Sequence, residues 1–317
     1  MRARFFCTPL PKVKRDKVHN VINGSDGESK AASDILLATR GEVISASRFV
    51  DGMKIDFELS VQHPWYPNEK LSVCFQVKSG SSHVNKQSED CFNPSSSTFS
   101  EIQRESHTIG LIWVSPVESR SQWALIRPNS KFLPSGYGKH HKITPAITFD
   151  LARCHGRERN CSKYGQGINI SRTKIPFEKQ RAAASKKYYE IKNVKSPVLG
   201  DIKITRLGWR HMFRRKRNAK HKLGTMQVIP ALGALLRHIP NSHVVRNVKY
   251  IDLGDYECRE CEHHLHFNHV RYYGGERAKV IVKVIEQIRY PKGWKERTYL
   301  SQLVQRETRL LSAYIKN

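Results

Sequence analysis

Asp56 stands in the run IDFEL with apolar neighbours, and Gln76-Val77-Lys78 closes a second β-forming run, SVCFQV. Residues two apart on a strand share a face, so Gln76 and Lys78 point the same way and can serve one site. A carboxylate set among apolar strand residues is costly unless a cation or hydrogen bonds hold it. A hard divalent ion such as Mg²⁺ would do so, taking oxygen from Asp56, the Gln76 side chain, a carbonyl near Val77 and Glu42, which is expected on a preceding helix. Lys78 would then position or help deprotonate an attacking water beside a phosphate. Glu58 shares the face of Asp56 and is either a second ligand or solvated, while Asp51 belongs to the turn DGM. The same residues would also suit a plain solvated sheet face.

Two further groups of residues could do chemistry. Arg210, His211, Arg214, Arg215, Lys216, Arg217, Lys220, His221 and Lys222 form the densest positive cluster in the chain. On a helix, His211 and Arg214 or Arg215 would be neighbours, an imidazole for acid and base work beside a guanidinium for phosphate charge. The alternative is a basic grip without chemistry. Cys258 and Cys261 have the C-x-x-C spacing of a zinc pair, which His266 and His269 would complete as a structural Zn²⁺ site; a surface loop with free thiols is the other reading, and Cys154 and Cys161 are outside candidates.

These residues need elements to carry them. Residues 1 to about 28 hold prolines and the turn-rich NGSDG, so an arm is expected, with a helix from Ser33 or Asp34 whose apolar face is Ile35, Leu36, Val43 and Ile44. Alternation predicts strands at Met53–Val61 and Leu71–Val77, a serine-rich loop with a short helix over 79–100, and strands at HTIGLIWVSP and QWALIRP, the first buried on both faces. Residues 151–199 read as a basic linker with a helix through EKQRAAASKKYYEI. Ile202 and Ile204 open a strand, Pro230 breaks or starts a helix, AKVIVKVIEQI is a strand, and Leu300 to Tyr314 have helical spacing. Tyr188, Tyr189, Trp209, Tyr272, Tyr273 and Trp294 could stack on bases, although Trp209 and Tyr273 are expected in the core.

The chain has 317 residues with 55 Lys plus Arg against 28 Asp plus Glu, a formal net charge of +27, and 38% hydrophobic residues. Such a surface favours a polyanion, DNA first and RNA second, over a small neutral substrate. No apolar run approaches the roughly 18 to 20 residues of a membrane helix, and the N-terminus lacks a secretory pattern, so a cytoplasmic protein without a membrane partner is expected. The seven cysteines do not suggest a disulfide framework. There is no G-x-x-x-x-G-K motif, so any nucleotide-driven step would need a separate protein.

GEVISASRFVDGMKIDFELSV followed by LSVCFQVKSG resembles the PD-(D/E)XK nuclease superfamily, especially its Mrr-like branch, in which Gln replaces the acid before the lysine. The resemblance covers about residues 31–130. It implies a mixed sheet flanked by helices, Mg²⁺-dependent phosphodiester hydrolysis, and Glu42, Asp56, Gln76 and Lys78 as the centre. GDIKITRLGWRHMFRR, AKVIVKVI and RTYLSQ are similar, less specifically, to phage-type members of the barnase, endoribonuclease U, colicin and RelE group, which cleave RNA without metal. That similarity implies roles for His211 and Arg214, and more loosely for Arg215, Thr298, Tyr299 and Ser301.

The expected architecture is therefore α/β of the α+β kind: an arm (1–30), a restriction-endonuclease-like domain (31–150), a basic linker (151–199) and a basic α+β domain (200–317). The leading expectation is a Mg²⁺-dependent DNA endonuclease with a nucleic-acid-binding or RNase-like module. The alternatives are a metal-independent toxin-like ribonuclease with the N-terminal part as sensor, and a non-catalytic nucleic-acid-binding protein. A setting in anti-phage or mobile-element conflict is implied by the resemblance, as a homo-oligomer or with a partner protein of a defence system.

Overall fold

The structure is a computed structural model that describes residues 17–45, 55–80, 84–85, 88–92, 96–103, 108–115, 121–128, 141–158, 168–170, 176–272 and 277–316. It is an α+β protein. The chain divides into two compact units, one of Met1–Ser33, Ser45–Phe57 and Cys74–Lys142, the other of Asp34–Ile44, Glu58–Val73 and Ile143–Asn317. Helix α1 (Lys17–Thr39) and strands β1 (Glu42–Ser45), β2 (Phe57–Gln62) and β3 (Lys70–Ser79) thread through both by chain continuity.

The expected arm over 1–30 is corrected by α1, which already includes 17–30; residues 1–16 lie outside the described residues. Gly27, Ala31, Ile35 and Ala38 are buried at helical spacing, so packing of a small-residue stripe prevails over the turn propensity of NGSDG. Ser33 and Asp34 therefore lie inside the helix and do not cap it. The helix stops at Arg40, whose φ of 55° is left-handed. Gly41 follows because a Cβ there would stand 2.6 Å from the Ser60 carbonyl oxygen. Val43 and Ile44 consequently belong to β1, not to a helix face.

In the first unit, β3 runs parallel to β6 (Ile109–Val114), which is antiparallel to β7 (Ser121–Ile126). Every residue of β6 is buried, as expected for a strand covered on both faces. Between them lie β4 (Val84–Asn85), β5 (Ser88–Phe92) and helix α2 (Ser96–Gln103). Ile102 of α2 joins Ile109, Leu111, Trp113, Ala124 and Ile126 in one apolar cluster on one side of the sheet.

In the second unit, the stretch 151–199 is not a linker. It carries most of α3 (Ile147–Glu158), then β8 (Asn169–Ile170), α4 (Phe177–Glu190) and β9 (Asn193–Ser196), and Tyr188, Val194, Val198 and Leu199 are core residues. Among its described residues most of the lysines and arginines face solvent, while Leu151, Tyr188, Val194, Val198 and Leu199 face inward. Strand β10 (Gly200–Lys203), helices α5 (Arg206–Met212), α6 (Ala219–Val228) and α7 (Leu232–Arg237) and strands β11 (Ser242–Leu253), β12 (Tyr256–Tyr272) and β13 (Arg277–Pro291) follow. Pro230 sits in a short 3₁₀ turn between α6 and α7. The tail expected to be an amphipathic helix forms only a short α8 (Leu300–Leu303) before β14 (Gln305–Lys316). Thr308, Leu310 and Ser312 are buried at a period of two, and pairing with β13 prevails over the helical pattern.

The large sheet has the order β11-β12-β13-β14-β10-β9, with β8 paired to β12. Its pairs are antiparallel except β10 with β14 and β8 with β12. The core lies between this sheet and α4, α5, α6 and α7, with Tyr188, Met212, Val228, Leu232, Phe267 and Val282 fully buried. A buried ion network ties α3 to the sheet. Arg259 of β12 makes a bidentate contact with Asp150, which also binds Arg153 at 2.7 Å. Glu286 of β13 receives Arg306 at 2.7 Å and Arg259 at 3.3 Å. Burial alone would raise the Asp150 pKa, but Arg259 and Arg153 hold it below the usual carboxylate range.

Candidate functional site

Asp56 precedes β2, and its backbone N–H donates to the Phe75 carbonyl at 2.9 Å. Its carboxylate accepts the backbone N–H of Val77, the residue between Gln76 and Lys78. The neighbouring Phe57 and Phe75 rings stack at 5.4 Å, which fixes the register of this corner. Strand alternation puts Gln76 and Lys78 on the face that carries Leu111 and Trp113, their partners on β6. Gln76 is buried, and its side-chain oxygen has no hydrogen-bond partner among the described residues. An unsatisfied amide oxygen in that position costs about 1–3 kcal/mol, a cost that a bound cation or water would remove. Asp56, Gln76 and Lys78 are thus gathered around one peptide.

Glu42 is placed differently from the expectation. It opens β1 with its side chain largely exposed, and pairs with Lys70 at 3.7 Å. Glu58 accepts a hydrogen bond from the Ser72 hydroxyl. Asp51 lies outside the described residues. Sequence reasoning missed the approach of α1 to the end of β3, where a Cβ at Gly27 would come 2.7 Å from that of Ser79. The signal was the helical spacing of Gly27, Ala31 and Ile35, hidden within a run read as a turn.

A second group forms on α5, α6 and β14. The N-cap Asn218 accepts the His221 backbone N–H at 2.8 Å and so starts α6 with His221 in its first turn. Gly208 lets α5 lie against β14, since a Cβ would stand 2.6 Å from both the Leu310 carbonyl oxygen and the Tyr188 hydroxyl. Arg217 lies between the two histidines: Nη2 is 3.5 Å from His211 Nδ1, and Nη1 is 3.3 Å from His221 Nδ1. Nη1 also donates to Ser312 Oγ at 3.4 Å, and the His221 ring lies 4.6 Å from that of Tyr314. Burial, followed by Arg214 and Arg217, lowers the His211 pKa; burial and then Arg217 lower that of His221. Both imidazoles are therefore neutral near pH 7. The sheet register extends the patch, aligning Ser312 with Lys283 and His264, and Tyr314 with Ile281 and His266.

Arg210, Arg214, Arg215, Lys216 and Lys220 are exposed around this group, and Lys222 is half-buried. Thr298, Tyr299 and Ser301 precede β14, and Tyr299 is 70% exposed. Ser312, whose hydroxyl meets Arg217, and Tyr314, whose ring meets that of His221, were not read as site residues from the sequence because β14 read as a helix. Trp209, partly buried, packs against Tyr188, Tyr189 and Phe213 at the margin of the core, and Trp294 is buried. Tyr273 lies outside the described residues.

The C-x-x-C pair does not form a knuckle. Cys258 and Cys261 lie on β12 opposite Arg289 and Glu286, and residues three apart on a strand face opposite ways. His266 lies farther along β12, and the side chain of His269 is outside the described ones. Cys261 meets His263 and Glu286 instead.

Comparison of the chain with protein-family models, with curated proteins and with solved structures finds no match in any of the three. Among the described residues, no helix is long and apolar enough to cross a membrane.

Proposed function

We propose that this chain is a nuclease whose first centre is Asp56, Gln76 and Lys78. The observation that carries this reading is the buried Gln76 oxygen, without a hydrogen-bond partner among the described residues, one peptide away from the Asp56 carboxylate. Asp56 and Gln76 would hold a Mg²⁺ ion, an oxygen-seeking cation that supplies charge neutralisation at a phosphate when bound. The Asp56 carboxylate is already oriented by Val77, so little reorganisation is needed. Lys78 shares the face of Gln76 and would hold the attacking water with its ammonium group. The net charge of +27 supplies the attraction for the polyanion.

The histidine and arginine group favours a second reading within the same class, a centre that cleaves RNA without metal. Two imidazoles on either side of a guanidinium offer a base in the neutral form, an acid in the minor protonated form, and a charge stabiliser for a phosphodiester. One assay tests both. Purified protein is incubated with plasmid DNA and with RNA, in Mg²⁺ and in chelator, beside Asp56→Asn and His211→Ala. Metal-dependent cleavage that disappears in Asp56→Asn supports the first centre. Chelator-resistant RNA cleavage that disappears in His211→Ala supports the second, and a protein that cleaves nothing in any arm defeats both.

A further inference from the structure

Beyond the two phosphodiester centres, β12 and β13 bring together a thiol, an imidazole and a carboxylate that neither centre uses. Cys261 and His263 are two residues apart on β12, and Glu286 stands opposite Cys261 on β13, so the register directs all three to one place. All are buried, with exposures of 2%, 0% and 0%. Cys261 Sγ is 3.4 Å from His263 Nε2, His263 Nε2 is 3.1 Å from Glu286 Oε2, and Cys261 Sγ is 3.7 Å from Glu286 Oε2.

From these distances and donor types we infer that Cys261, His263 and Glu286 form a zinc site that clamps β12 to β13. Zinc bonds of about 2.3 Å to sulfur and about 2.0–2.2 Å to nitrogen and oxygen, set at the tetrahedral angle, place the sulfur about 3.6 Å from the other two donors and those donors about 3.3 Å apart. The three separations agree with those lengths to within a few tenths of an ångström. The donor set also selects the metal: thiolate with imidazole suits zinc and disfavours magnesium or calcium.

The surroundings orient the donors. His263 Nδ1 lies 2.9 Å from His243 Nε2; with the proton on Nδ1, the Nε2 lone pair faces Cys261 and Glu286, the outer-partner arrangement of a metal-bound histidine. Arg306 holds Glu286 by Oε1 and leaves Oε2 turned to the thiol. Asp150 engages Arg259 and Arg153, balancing charge that would otherwise repel a cation. Arg259 Nη2 also reaches Oε2 at 3.3 Å, a contact that the ion replaces. On binding, Cys261 gives its proton to solvent and the sulfur forms the metal bond. All three donors are buried, which closes the site to a large substrate, and the fourth tetrahedral position would fall to a water molecule.

The test uses the full chain. Metal analysis after purification without added metal should find zinc, and cobalt(II) titration of the stripped protein should give a thiolate-to-cobalt charge-transfer band saturating at one equivalent. Cys261→Ser should lose the band and Cys258→Ser should keep it. Should Cys261→Ser misfold, the wild-type band and its loss in Glu286→Gln decide the matter. Folded wild-type protein that takes up neither zinc nor cobalt, or a band that follows Cys258, overturns the proposal. Because the readout is spectroscopic, it is independent of cleavage at either centre.

Discussion

The carboxylate of Asp56 accepts the backbone N–H of Val77, the peptide unit that separates Gln76 from Lys78. Asparagine can accept the same hydrogen bond, so Asp56→Asn keeps the corner and removes only its charge. Metal-dependent cleavage should fall by about 10²–10³-fold, the usual loss when one charge-stabilising group is removed, with the thermal midpoint little changed. Lys78→Ala should lose a similar factor. An Asp56→Asn protein that cleaves at the wild-type rate in Mg²⁺ would remove this centre from the reading.

For the second centre, the expectation concerns chelator-resistant RNA cleavage. His211→Ala and His221→Ala should each lower it by about 10²–10⁴-fold, the range for a general acid or base. Arg217→Lys should be nearly as damaging, because one ammonium cannot reach two imidazoles and Ser312 in the way a planar guanidinium does. Single-turnover rates would show it. Equal rates for Arg217→Lys and wild type would leave Arg217 a binding residue.

Asp150 gives a prediction about stability and pH. Asp150→Asn removes the bidentate anionic partner of buried Arg259, leaving it only the longer contact with Glu286, and should cost about 3–5 kcal/mol at neutral pH, as broken buried pairs do. The folded-state pKa of Asp150 lies below its ordinary value of 3.8. Its contribution is therefore complete above that pH and is lost as the pH falls through the folded value. Urea melts of the two proteins should converge in that acidic range; a gap that widens on acidification would contradict the assignment.

Gly208→Ala should destabilise the second unit by about 1–3 kcal/mol, the typical cost of overpacking, because the new methyl meets the Leu310 carbonyl. Chelator-resistant cleavage should fall as well, since α5 carries His211. Calorimetry and the RNA assay would be read together.

Binding to nucleic acid should weaken steeply with salt, with log Kd rising linearly in log salt by about 0.9 per duplex phosphate neutralised. Replacing Arg215 and Lys216, both exposed, with alanine should lower that slope. A slope unchanged by the double substitution would move the contact elsewhere.

Strand alternation sufficed to put Gln76 and Lys78 on one face, because that depends on a period-two pattern within one short segment, whereas joining Asp56 to them rested on element order and the resemblance. Local patterns also sufficed for β6, β13 and α4. They failed at β14, where Leu300, Leu303, Leu310 and Leu311 have helical spacing and only pairing with β13, a non-local interaction, decides the outcome. The loss of that strand hid Ser312 and Tyr314. The C-x-x-C spacing misled for a related reason: it assumes a turn, and a strand sends Cys258 and Cys261 to opposite sides.

The sheet order also bears on assembly. β14 comes after every other strand of its sheet in the chain, yet it lies between β13 and β10, so the sheet closes by insertion and not by growth at an edge. Pairings of such long sequence separation form slowly. A nascent or half-folded chain can thus carry its basic helices before Arg217 meets Ser312 and the His221 ring meets that of Tyr314, so the charged surface forms ahead of the packed group.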